Sequence, residues 1–204
     1  MRKWFDYDNP LFHFMSKTVD LVMLNALTLL CCIPIVTIGA SITAAHYTAL
    51  KMRRGESYVF QNFVKSFKEN IKQSTVIWLL FLAFFIVEYL AFITLSNGET
   101  ESAMTMQGCI LGTGVFGICF MLWIFPLQSK FVNRIGKTFR NAFIMTFKHL
   151  FRTILMLAFF VAPFLLNIDY IWVLLMFGFS VPIYLSAVIY NKPFEKMEKE
   201  VLGG

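Results

Sequence analysis

Apolar residues run along this chain in long blocks divided by short basic stretches, and the block lengths decide which elements are predicted. A helix crossing the ~30 Å hydrocarbon core of a bilayer needs roughly 20 mainly apolar residues. Ser74 to Ser96 meets this with Glu88 as its one ionisable residue, and Gln107 to Leu127 and Tyr170 to Tyr190 meet it with none. Leu150 to Leu166 is slightly shorter, and Arg152 near its start can snorkel to the interface.

The N-terminal block is longer. From Thr18 to Leu50 there is no Lys or Arg, and Asp20 is the only acidic residue. Pro34 and Gly39 interrupt it. A proline removes a helix hydrogen bond and pushes the preceding residue out of helical geometry, so Pro34 to Gly39 predicts a turn. Helices are then expected over about 15–33 and 40–54, the second short and rich in Ala40, Ser41, Thr43, Ala44, Ala45 and Ala49. Small residues let helix backbones approach closely in a membrane. The alternative is one crossing from Val19 to about Ile38 followed by a helix lying in the interface.

Two basic stretches have a different pattern. Over 58–70, Val59, Phe60, Phe63, Val64 and Phe67 share a helical face, with Lys65 and Lys68 mostly elsewhere. Over 138–149, Phe139, Phe143 and Phe147 share a face, with Arg140 and Lys148 toward the other. A basic helix with an aromatic face suits the headgroup layer. Both stretches are therefore expected as interfacial amphipathic helices leading into spanning ones. Phe60, Phe63, Phe67, Lys68, Phe139, Phe143, Phe147 and Lys148 are their candidate partner- or lipid-docking residues. Ser66-Phe67-Lys68 also aligns with Thr146-Phe147-Lys148, which hints at a duplicated unit.

Composition narrows the class. Of 204 residues, 58% are apolar and 15% charged, and 24 phenylalanines outnumber 12 acidic residues. A soluble domain of this size cannot hide so much apolar surface, and intrinsic disorder is excluded by the same numbers. The expected fold is all-α: a polytopic transmembrane helix bundle of six spanning helices, with five as the alternative, plus the two interfacial helices, in a single integral membrane domain over 1–204.

The net charge of +6 resembles a nucleic-acid signature until the charges are placed. Lys and Arg precede the first block, fill 51–72, return over 130–152 and close the chain, and none lies between Ser74 and Leu127. With six crossings and a cytoplasmic N-terminus, all 18 basic residues fall on the inner side. The external loops, near 34–39, 97–106 and 167–169, are then neutral or acidic. This predicts a multi-pass cell-membrane protein with a cytoplasmic C-terminus, the lipid bilayer as its surroundings and no nucleic-acid partner. The first block starts late and lacks a small-residue cleavage site, so no cleaved signal is expected.

Candidate chemistry is sparse. Glu88 is costly inside a span and should face the bundle interior, a partner or a wet cavity. It is open to two roles, a proton or solute site, or a hydrogen bond to a neighbouring helix. Asp20, Asn25 and His46 complete a candidate intramembrane polar site. Cys31, Cys32, Cys109 and Cys119 fall inside apolar segments, where inert buried thiols are expected. There is no metal-ligand spacing, nucleophile elbow or phosphate-binding loop. The chain is therefore expected to be non-enzymatic, with no catalytic residues, metal or cofactor.

The N-terminal residues carry a resemblance. Asn9-Pro10-Leu11-Phe12, Asp20-Leu21, Leu24-Asn25, Pro34-Ile35-Val36-Thr37-Ile38-Gly39-Ala40-Ser41, Thr43-Ala44, Tyr47 and Leu50-Lys51 are followed by Phe63, Ser66 to Asn70, Lys72 to Thr75 and Ile77-Trp78. This series resembles the YesL-like family of bacterial integral membrane proteins, a domain of unknown function, most specifically at Pro34 to Ser41. Cys31-Cys32 and His46 depart from it mildly. The resemblance supplies no catalytic residues. Such proteins are often encoded beside sugar-binding proteins and permease subunits. The resemblance therefore implies an accessory or regulatory component of carbohydrate uptake, partnered by a sugar transporter permease or a sensor subunit; apart from the resemblance, a homo-oligomer is also open. The alternative is a small solute or proton-coupled transporter or channel using Glu88 and the polar first hairpin.

Overall fold

The computed structural model describes residues 10–56, 58–96, 101–131, 134–166 and 177–202. These are helical with short connections, and among the described residues there is no strand. The helices are α1 (Pro10–Cys32), α2 (Ile38–Arg53), α3 (Val59–Ser96), α4 (Glu101–Lys130), α5 (Ile135–Lys148), α6 (Leu150–Leu166) and α7 (Ser180–Leu202). The expected loop at 167–169 and the first residues of the expected span 170–190 lie outside the described residues. So do 97–100 of the loop expected at 97–106, whose remainder from Glu101 onward belongs to α4.

Among the described residues, three helices are long and apolar enough to cross a membrane: α1, α3 and α4. A fourth crossing exists if α5 and α6, bent by 97° at their junction, act as one broken span. The described residues thus give three or four crossings where six were expected. The difference lies partly in α2, where eleven of sixteen residues are buried. It is the axis of the bundle, touching α1, α3, α4 and α7.

The turn before α2 forms where proline demands it. Pro34 is extended, and Ile35–Thr37 makes one 3-10 turn. Thr37 donates its hydroxyl to the Cys31 carbonyl (2.7 Å), a group that the end of α1 leaves without a helix partner. Across the hairpin, Ser41 donates to the Thr28 carbonyl at 2.8 Å. Gly39 permits the next contact. A Cβ there would fall on the Ser74 carbonyl oxygen and lie 2.6 Å from the Trp78 Cβ. With that space open, Thr43 and Ser74 share a hydrogen bond (2.9 Å), and the Trp78 indole donates to the Ile35 carbonyl (2.8 Å). Ala40, Ala44, Ala45 and Ala49 are fully buried along the same helix. Close backbone approach is the use expected of small residues here. Gly55, at φ 84°, then turns the chain toward α3 in the left-handed conformation open to glycine.

The first expected interfacial helix is corrected by α3. No separate helix occupies 58–70. One continuous helix of 38 residues runs from Val59 to Ser96. At 1.5 Å per residue it is about 57 Å long, nearly twice the ~30 Å hydrocarbon core. No glycine or proline breaks it near residue 70, and the Asn70 side chain donates back to the Ser66 carbonyl (3.0 Å), staying within the helix.

The second elbow is a real corner. α5 ends at Lys148, His149 leaves helical geometry (φ −123°, ψ 44°) and α6 departs at 97°. Thr153 bridges the corner, its hydroxyl within hydrogen-bond distance of the His149 and Thr146 carbonyls (3.2 and 3.4 Å), while the Trp123 indole donates to it (2.8 Å). The aligned stretches 66–68 and 146–148 therefore differ in geometry, one lying mid-helix and the other at a bend.

Candidate functional site

The polar residues expected to form one intramembrane site are distributed over different helix pairs. Glu88 projects from α3 toward α4, where the Thr113 hydroxyl donates to its Oε1 at 2.5 Å. Gly114 supplies the room, since a Cβ there would sit 2.7 Å from the other carboxylate oxygen. The surrounding groove holds about 340 Å³ and is lined by apolar side chains such as Phe85, Phe92, Ile110 and Val115. A carboxylate among apolar walls is held by a hydroxyl donor and a close glycine, which lowers the cost of placing it there.

His46 lies on α2, almost wholly buried, and its Nδ1 is 3.1 Å from the Tyr190 hydroxyl of α7. The rings meet edge to face at 5.7 Å. His46 also borders a cavity of about 210 Å³ whose other walls include Ile42, Ile118, Phe125, Phe160 and Ile183. Asn25 on α1 has a third role. Its Oδ1 accepts the backbone N–H groups of Phe179 and Ser180 (3.0 and 3.1 Å), capping α7 from another helix. Asp20, also on α1, is half-buried.

The docking residues divide as well. Phe63 is 1% exposed and belongs to the core, and Phe67 packs against that core. Phe139 is held between Phe81 of α3 and Phe120 of α4, with ring centroids 6.1 and 5.6 Å away. Phe60, Phe143 and Phe147 are more than half exposed, and Lys68 and Lys148 are exposed. An aromatic face at helical spacing is therefore shared between packing and an outward surface. On α5 the outward part is continuous with Phe116 of α4, which contacts both Phe143 and Phe147.

Sequence reasoning missed a buried polar tie near the other end of α4. Gln128 donates to Gln73 of α3 (2.6 Å) and accepts from Thr138 of α5 (3.3 Å). Asn70 is also within reach at 3.4 Å. The available signal was a glutamine directly after an apolar span, opposite an Asn and a Gln at the foot of the preceding one. Residues 122–129 are all buried, so this end of α4 is the closely packed one.

No curated protein and no solved structure matches the chain significantly. Residues 21–92, which cover the second half of α1, the proline turn, α2 and α3 almost to its end, match the family described as "Protein of unknown function, DUF624", consistent with the YesL-like resemblance of the same stretch.

Proposed function

We propose that this chain is a non-enzymatic membrane scaffold, an accessory or regulatory component that docks on another membrane protein. The observation that carries this is the state of Glu88. The strongest candidate for a transport carboxylate accepts a hydrogen bond from Thr113 on the adjoining helix, in a groove of apolar side chains. Asn25, His46 and Gln128 support the same conclusion, since each joins one helix to another. The exposed Phe143 and Phe147 offer a surface to a partner.

In this proposal the C-terminus is cytoplasmic, as the placement of Lys and Arg supports. Six crossings require α2 and α7 as short inner passages, α2 packed on α1, α3 and α4, and α7 on α1, α2 and α6. The YesL-like resemblance supports a carbohydrate-uptake permease or sensor as the partner class. The test is cross-linked affinity capture of the full chain from native membranes. Reproducible recovery of a permease or sensor subunit is expected. Solute or proton flux by the purified chain in liposomes, reduced by Glu88→Gln, would replace this proposal with the transporter.

A further inference from the structure

The 97° corner between α5 and α6 opens a hollow that none of these ties uses. Lys148 closes α5, Arg152 lies in the first turn of α6, and Lys192 lines the same space from α7. The hollow holds about 320 Å³, with Met145, Pro193 and Met197 as its apolar walls. Among the described residues no carboxylate lines it, and none of the three cations forms an ion pair. Like charges gathered on partly apolar walls repel one another and attract an anion. Its size falls within the roughly 300–1,000 Å³ of small-ligand sites.

The corner is braced from within. The His149 ring stacks on Trp123 at 5.9 Å, and the Trp123 indole is tied to Thr153. Next to the cations in the chain, Phe151 and Ile154 are 79% and 57% exposed. Here α6 begins its apolar run, so charged and lipid-compatible surfaces adjoin. A ligand with a phosphate group and acyl chains matches both. We infer that this hollow binds the phosphate group of an anionic membrane lipid.

The test uses the full chain in mild detergent, titrated with phosphatidylglycerol, phosphatidylcholine or inorganic phosphate, with bound lipid counted by native mass spectrometry. Phosphatidylglycerol should be retained in preference to phosphatidylcholine. Arg152→Gln with Lys192→Gln should weaken it roughly thirtyfold, about fivefold for each charge removed. Arg152→Lys with Lys192→Arg should keep it, which separates loss of charge from loss of fold. Removing two exposed charges on α3, Lys65→Gln with Lys72→Gln, should leave it unchanged. Equal binding of the two lipids, or equal loss from the α3 pair, would overturn the proposal. Displacement of phosphatidylglycerol by millimolar inorganic phosphate would overturn the lipid as the source of the phosphate.

Discussion

Asn25 on α1 and Ser180 at the start of α7 are far apart in the chain, yet the Asn25 Oδ1 accepts the Ser180 N–H at 3.1 Å and that of Phe179 at 3.0 Å. The first amides of a helix have no partner within it, and a side-chain cap normally comes from the residue just before. Here the first helix of the bundle caps the last. Asn25→Leu should cost about 1–3 kcal/mol, the range for leaving buried donors unpaired. Asn25→Asp should cost less, because a carboxylate still accepts both bonds. Equilibrium unfolding in mixed micelles compares the two, and equal effects would remove the cap from the account.

Gly39 predicts a comparable loss from a smaller change. The single methyl of Gly39→Ala meets the Ser74 backbone and the Trp78 Cβ, neither of which is the flexible end of a side chain. Overpacking of this kind typically costs 1–3 kcal/mol, so about 2 kcal/mol is expected. Gly112→Ala is the control. Nothing lies within 4 Å of its added carbon, and in a helix the change should stabilise by roughly 0.5–1 kcal/mol. Thermal unfolding of both in one detergent should move in opposite directions.

The Glu88–Thr113 contact predicts a modest coupling. Interhelical hydrogen bonds in membranes average ~0.6 kcal/mol and reach ~1.7 kcal/mol. A double-mutant cycle of Glu88→Ala and Thr113→Val should return a value in that range. Glu88→Gln should be nearly neutral, since an amide oxygen still accepts from Thr113. A coupling of zero would mean that the hydroxyl does not hold the carboxylate.

The straightness of α3 is directly measurable. Spin labels at Gln61 and Ile86, 25 residue steps apart along the helix, should lie about 37 Å apart between backbone positions. A right-angled elbow near residue 72 would bring them to about 27 Å on the same helical rise. Pulsed electron–electron resonance on the doubly labelled chain in nanodiscs distinguishes the two.

Much of the architecture was legible in the order of apolar and basic residues. The proline turn at Pro34, the helices on either side of it and the start of α6 follow from local rules, because proline and charge act within a few residues. The partners of Glu88 and His46 were not legible. Thr113 and Tyr190 are ordinary residues in apolar segments, and only the packing of α4 on α3 and of α7 on α2 singles them out. The two elbows show the same limit. Both are basic, aromatic and free of any glycine or proline at the bend position, yet one is straight and the other turns by 97°. Trp123 and Thr153, which brace the turn, lie outside the pattern that defines it.

The composition and the segregation of charge were sufficient for an all-helical protein with several helices long and apolar enough to cross a membrane. Those properties sum over single residues, and any arrangement of the helices would preserve them. Which helix lies at the centre, which phenylalanines face inward and which polar groups pair were decided by tertiary packing. α2 became the axis because Gly39 and its alanines allow close approach. Glu88 became a helix tie because Gly114 leaves space beside Thr113. Each of these depends on distances between residues remote in sequence, which a linear pattern does not contain.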